Sequence, residues 1–507
     1  MSIVVPAALA SGLLFVAGFP PFDLGWLALV ALAPALLAAD RSGRPFLVGW
    51  LAGWLGFTGV VWWVYYAMAH FGGIPWPAAA ALALVLTAAM ACFWGLALWA
   101  RHRVRAAFPR LPDVVVFPVV WTAAEYLRAT LPDLEFPWAL LGHTQYLHGS
   151  ILQVADVGGA WALGFLVALA NAGVASFVAA PRARGWARGL RPLAAALVLL
   201  LAAAGYGRWR LAEPEPDAGS ALRVAVVQGD VPQGVKWDPQ FREETFVNHV
   251  GLTREAGAAG ADFVVWSESA TAFVYQREPA YQERIADLAR ETGAPLLFGT
   301  VGIESAGGRR SYRNRAYLVD ASGAEAGWYD KQQLVPFGEF VPFQRLLFFA
   351  KPLVQAVGNF TPGPGSTLLD VPGARVGTLV CYEVVFPDLV RRFAAAGATL
   401  LVNITNDAWY ERSAASAQQF ANLVLRAVEN RRPIARAANT GISGFVDAKG
   451  RILGASELFV RGQYAAPLTP DSRTTFYTRH GDWLPRLCTA AFLALLAATC
   501  LPSRRRR

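Results

Sequence analysis

Three residue types at three separate places could together perform nucleophilic acyl chemistry. Cys381 lies in Gly377-Thr-Leu-Val-Cys-Tyr-Glu383, Glu268 in Val264-Val-Trp-Ser-Glu-Ser269 and Lys331 in Trp328-Tyr-Asp-Lys331. A thiol needs a base to attack an ester or amide at neutral pH, and the oxyanion that forms needs a positive partner. A Glu, a Lys and a later Cys supply those parts in order. Each alone reads more plainly: Cys381 as a small buried hydrophobe, Glu268 as a helix-cap carboxylate, Lys331 as a surface cation. Of six histidines only His249 and His480 fall in the same region, and neither has neighbours suited to a Cys–His pair. With no CxxC and no His/Cys cluster at ligand spacing, the reading calls for no metal and no cofactor.

The elements that must position these residues divide in two. Apolar runs near 3–19, 24–39, 46–69, 76–100, 113–130, 158–180, 190–206 and 484–501 predict about eight spanning helices, since a span needs roughly 20 apolar residues. The first run lacks a basic leader and continues into further apolar runs, which reads as a retained helix. Cys92, Cys488 and Cys500 lie in these runs; Cys381 is the cysteine outside them. Arginines cluster at 41 and 44, at 101, 103, 105 and 110, at 182, 184, 188 and 191, and at 504–507. With eight spans all four clusters share a side, so the positive-inside rule places both termini in the cytoplasm and 207–483 outside it. These fourteen arginines exceed the net charge of +9, so the basicity reports topology and not a nucleic-acid partner.

Residues 222–466 change character. Short apolar strands are predicted at 222–228, 262–266, 295–299, 376–381 and 399–403, with helical spacing at 239–259, 278–292, 386–396 and 415–431. The alternation predicts a layered α/β domain, with Glu268 and Cys381 displayed at strand ends. The expected organisation is a membrane domain over 1–206 with about seven spans, a catalytic domain over 222–466, and a last span over 484–501 with a basic tail at 502–507. The aromatic, Pro-broken stretch 335–352 reads equally as core or as a lid dipping into the bilayer interface. Glu125 and Arg128, three apart on a helix, read as a structural pair near the outer interface.

At this point the 222–466 region resembles the nitrilase (carbon–nitrogen hydrolase) superfamily, and the whole chain is similar to the apolipoprotein N-acyltransferase family. The resemblance rests on Val227-Gln-Gly-Asp-Val-Pro-Gln233 with Lys236-Trp-Asp238, Trp266-Ser-Glu268, and Tyr329-Asp-Lys-Gln-Gln-Leu-Val-Pro-Phe-Gly-Glu-Phe-Val-Pro342. Cys381-Tyr-Glu383, Asn406-Asp-Ala-Trp409, Arg432-Pro433 and Arg436-Ala-Ala-Asn-Thr-Gly441 continue it. Trp121-Thr-Ala-Ala-Glu-Tyr-Leu-Arg128 and Phe136-Pro-Trp138 extend it into the membrane half. It implies an αββα sandwich outside the bacterial inner membrane, and Glu268 as base, Lys331 as oxyanion partner and Cys381 as nucleophile. Glu339 becomes a second carboxylate by the triad; Tyr382 and Glu383 shape the pocket; Trp237, Asn406 and Trp409 are candidates to contact substrate. It further implies a phospholipid acyl donor, phosphatidylethanolamine, a thioester on Cys381, and transfer to the diacylglyceryl-cysteine N-terminus of apolipoproteins. A membrane-tethered amidase using water instead of an amine is the alternative. The chain departs from the family after Trp409, where Tyr410-Glu411 and Ser413–Gln419 supply neither the usual Gly-Pro pair nor a His.

Overall fold

A computed structural model describes residues 3–132, 135–180, 187–216, 221–306, 309–336, 338–340 and 360–500. Most of the 335–352 stretch, Arg182, Arg184 and Arg504 to Arg507 lie outside the described residues. The chain forms two compact units, 1–69 with 74–213 and 480–507, and 70–73 with 214–479.

The first unit is helical. Among the described residues five helices are long and apolar enough to cross a membrane: Gly25–Ser42, Trp76–Ala107, Ala155–Ala179, Gly189–Ala212 and Trp483–Cys500. The pair Pro45–Val61 and Trp63–His70, bent by 54°, makes a sixth if counted as one span. Two further apolar runs of the sequence form helices that do not meet the same measure. Val4–Ala17 has 14 residues, and Asp113–Thr130 carries Asp113, Glu125 and Arg128.

Polar side chains inside this unit are held by specific partners, as an apolar surround requires. Arg101, 1% exposed, donates from Nε and Nη2 to Asp113 at 2.8 and 2.6 Å, and reaches Asp40 at 2.8 and 3.0 Å. The Asn171 amide oxygen accepts from the N–H groups of Leu32 and Ala33, closing a broken helix. Glu125 and Arg128 both serve one stretch of irregular backbone. Glu125 accepts from Leu141 N–H at 2.8 Å, and Arg128 donates to the carbonyls of Phe136 and Trp138 at 3.0 Å each.

Among the described residues the second unit is a sandwich of two six-stranded sheets. Its strands are β1 (Leu222–Gln228), β2 (Phe263–Trp266), β3 (Leu296–Ala306), β4 (Arg309–Val319), β5 (Glu325–Asp330), β6 (Leu368–Val371), β7 (Ala374–Val380), β8 (Leu400–Thr405), β9 (Ile434–Ala438), β10 (Gly444–Val446), β11 (Ile452–Ala455) and β12 (Gly462–Leu468). The sheets run β12-β1-β2-β3-β4-β5 and β11-β10-β9-β8-β7-β6. In each, a parallel centre (β1-β2-β3 and β7-β8-β9) is extended by antiparallel margins. Helices Arg242–Ala258, Pro279–Thr292, Pro387–Ala395 and Ala415–Asn430 accompany the strands. The central strands β2 and β8 are buried along their length, as a sheet covered on both faces demands. Trp266 and Phe298 pack against the helix residues Phe246, Ile285 and Leu288 in the core beside the first sheet.

The charged cluster in the helical unit gives the first test. Arg101→Leu leaves the buried Asp113 carboxylate with only the more distant Arg105, at 3.7 Å, so a loss of about 3 kcal/mol is expected. A denaturant midpoint in detergent unchanged from the parent would contradict that role.

Candidate active site

Each of the three sequence-selected residues follows the end of a strand in the sandwich. Glu268 comes two residues after β2, Lys331 directly after β5 and Cys381 directly after β7. All are nearly closed off from solvent, at 7, 1 and 5% exposure. Cys381 has φ +54°, a left-handed conformation costly for a non-glycine residue, which turns the chain sharply from β7 into a short helical turn. Such a strained turn presents a side chain at the sheet edge, and it persists only where neighbours over-determine it.

Glu383 is one of those neighbours. Its buried carboxylate accepts from Val380 N–H at 2.7 Å on one oxygen. On the other it accepts from Tyr329 Oη–H at 2.8 Å and from the N–H groups of Gln332 and Gln333 at 2.7 and 3.1 Å. One side chain therefore ties the backbone before Cys381 to the backbone after Lys331. Burial pushes its carboxyl up to about 7, and the donors aimed at it pull the other way.

Glu268 is equally constrained. Its Oε1 accepts from Asn314 Nδ2 at 2.7 Å and its Oε2 from Asn406 N–H at 2.8 Å. Lys331 Nζ stands 3.8 Å from Oε1. The backbone around Glu268 lies flat on β3 because residue 299 is glycine: a Cβ there would fall 2.6 Å from Ser269 N and 2.8 Å from Glu268 Cα. Glu339 completes the cluster, with its oxygens 3.0 and 2.9 Å from Lys331 Nζ and one also bonded to Asn314 Nδ2 at 2.9 Å. Burial lowers the Lys331 ammonium, but Glu339 and Glu268 outweigh it and hold its pKa above the ordinary value.

Behind Cys381 lies a second buried network. Asn403 Nδ2 donates to the carbonyls of Leu379 and Cys381 at 3.2 and 3.4 Å, and its own oxygen accepts from Arg436. Arg436 also donates to Asp407 and Gln419, at 2.7 Å each. Asp407 accepts from Thr405 at 2.8 Å and from Ser416 at 2.5 Å. Ser416 and Gln419 belong to the segment after Trp409, so that segment supports the site from behind.

The remaining candidates are spread more widely. Asn406 uses its side chain on Gln233 at 2.7 Å and Asn439 at 3.0 Å. Tyr382 packs edge-on to Phe386. Trp237 is about half exposed, and the half-buried Trp409 packs its ring against Phe71 within the same unit. Asn314, Asn403 and Thr405 were not singled out from sequence. Asn314 sits in the arginine-rich strand β4, where nothing local marks it.

Electrostatics decide what this arrangement can do. Burial first, then Glu268, push the Cys381 thiol up to about 12, with Lys331 pulling it down. The resting group is a thiol, so attack would require a base to take its proton; the Glu268 and Asp407 carboxylates both act on it.

Glu383→Gln tests the tie between Val380 and Gln332. An amide has one acceptor oxygen, so its NH₂ must face an N–H donor, and about 1–3 kcal/mol should be lost. The same variant should slow iodoacetamide labelling of Cys381; stability and labelling both equal to the parent would exclude the role.

Comparison with known proteins places both units. Residues 11–173 match the apolipoprotein N-acyltransferase N-terminal domain, and residues 223–472 match the carbon–nitrogen hydrolase family. An apolipoprotein N-acyltransferase of Geobacter metallireducens is 39% identical over 496 residues, covering 97% of this chain and 94% of the relative. One from Azotobacter vinelandii is 35% identical, covering 94% and 91%. Among solved structures, the chain is similar to an amidase from Nesterenkonia sp. at 24% identity and a TM-score of 0.39, covering 50% of this chain and 91% of that one. Matched in both units and over nearly its whole length, the chain belongs to the apolipoprotein N-acyltransferase family and is a membrane acyltransferase with a carbon–nitrogen hydrolase domain.

Proposed function

We propose that this acyltransferase moves an acyl chain from a phospholipid, phosphatidylethanolamine, to the α-amino group of the diacylglyceryl-cysteine that begins an apolipoprotein. The observation that carries the reading is a buried thiol on a strained strand-end turn, with a carboxylate and an ammonium acting on it. The relatives' names supply the lipoprotein substrate. The apolar helices agree with a donor drawn from the bilayer.

In the first half-reaction Glu268 takes the Cys381 proton as Sγ attacks the ester carbonyl. The carbonyl π pair moves to oxygen, where Lys331 stabilises it. Collapse breaks the ester C–O bond, and the leaving lysophospholipid oxygen takes the proton from Glu268. In the second half-reaction the lipoprotein amine attacks the thioester carbon and gives a proton to Glu268. The thiolate leaves and recovers that proton, and the product is an amide. Glu339 keeps Lys331 in place, Tyr382 and Glu383 shape the nucleophile's turn, and Trp237, Asn406 and Trp409 contact substrate. The arginine clusters support an inner-membrane setting with the catalytic unit on the periplasmic side and both termini cytoplasmic.

Incubation with acyl-labelled phospholipid should put a hydroxylamine-sensitive label on Cys381 that a diacylated lipopeptide then removes as an amide, with ping-pong kinetics. No label on the parent, or equal label on Cys381→Ala, would sink the thioester. Release of the label as free fatty acid in the presence of the lipopeptide would favour the amidase-type alternative. For orientation, a membrane-impermeant protease added to spheroplasts should cut within 214–479; protection of that region until lysis would reverse the topology.

A further inference from the structure

Lys236 is a buried ammonium that this mechanism leaves without a task. It follows β1 in the sandwich, is 3% exposed, and donates from Nζ to the backbone carbonyl of Glu268 at 3.0 Å. Among the described residues that carbonyl is its one hydrogen-bond partner. An ammonium has three donors, so two remain uncommitted beside the base. A cation this deeply buried is costly unless opposite charge faces it. Beyond that carbonyl, the charges that act on it are the Glu268 carboxylate and Cys381 when ionised, and it acts in turn on His249 of the neighbouring helix.

The charges around the thiol explain why a second cation would be kept there. Both oxygens of Glu339 lie on Lys331, at 3.0 and 2.9 Å, so that pair is close to neutral by itself. Glu268 is 3.8 Å from the same ammonium and shares it. When Glu268 accepts the thiol proton, its negative charge passes to sulfur and then to the carbonyl oxygen of the substrate. We propose that Lys236 is a second cation of the reaction, balancing Glu268 at rest and the thiolate and oxyanion as they form. Among Glu268, Glu339, Lys331 and Lys236, two carboxylates then offset two ammoniums at rest, and one carboxylate and one oxyanion offset the same two ammoniums in the tetrahedral state. The thiol proton travels to Glu268 and on to the leaving alcohol, so no proton is gained or lost. Without Lys236 a site closed to water would carry an uncompensated negative charge at both stages.

The inference rests on the acyl-enzyme reading and adds a pH dependence to it. Burial pulls Lys236 down to about 8, against the raising effect of Glu268 and of a Cys381 thiolate. It is therefore charged below that pH and neutral above it, and acyl-enzyme formation should fall as pH rises through about 8. Burial brings His249 to about 4, with Lys236 and Arg461 also lowering it, so its ring stays neutral across this window.

The test follows two rates on the full chain in detergent, from about pH 6 to about pH 10. One is transfer of label from acyl-labelled phosphatidylethanolamine to Cys381; the other is alkylation of Cys381 by iodoacetamide. Lys236→Met is expected to slow label transfer about 100-fold, to remove the alkaline fall and to slow alkylation at neutral pH. Lys236→Arg keeps its charge to higher pH, so it should restore part of the rate and show no fall within the range. Unfolding midpoints of both variants control for misfolding. A Lys236→Met enzyme within about threefold of the parent, or an identical alkaline fall in Lys236→Arg, would overturn the proposal. A parent that takes up no label would instead overturn the acyl-enzyme reading. Alkylation then still decides for Lys236, with an unchanged rate in Lys236→Met counting against it.

Discussion

Two buried carboxylates cross the sandwich, and the geometry of the site depends on them. Glu383, after a strand of the second sheet, accepts from Gln332 and Gln333, which follow a strand of the first. Glu268, after a strand of the first sheet, accepts from the backbone of Asn406, which follows a strand of the second. Parallel strands bring their ends to one edge of each sheet, but nothing in a sheet's own hydrogen bonding fixes one edge against the other. Charge-assisted bonds at 2.7–2.8 Å do so directionally, where apolar packing alone would tolerate a slip.

The same burial that strengthens those bonds sets the terms for the chemistry. A thiol pushed up to about 12 stays protonated and unreactive until a base removes its proton. Asn314 bonds both Glu268 and Glu339 through one amide nitrogen, keeping two carboxylates close while Lys331 lies between them. These charged groups are thus held in place by fixed partners, the arrangement that electrostatic preorganisation requires. Behind the nucleophile, the chain from Asn403 through Arg436 to Asp407 supports the strained turn at Cys381 from the opposite side.

Much of the sandwich could be read in advance because its central strands are short and mostly apolar. Phe263–Trp266 and Leu400–Thr405 are unmistakable in composition, and the predicted helices 278–292 and 415–431 differ from the observed ones by a residue at their ends. The margins were not legible. β4 begins Arg-Arg-Ser-Tyr-Arg-Asn-Arg and looks like a solvated loop, yet it pairs along its length with β3. Its polar side chains are accommodated by partners far along the chain, such as Asp330 for Arg315 at 2.6 Å. Asn314 was hidden for the same reason.

What the residue order determined was the set of reactive types and the elements around them. Periodicity marks strands and apolar length marks helices that suit a membrane, because each is a local property of a short segment. What only the tertiary structure decided was which polar groups answer one another. Whether Glu383 shapes a pocket or ties two sheets, and whether Lys236 faces solvent or the base, depends on contacts between residues 32 to 54 positions apart. No window of sequence contains both ends of such a bond, and its strength comes from a burial that exists only once the sheets have closed.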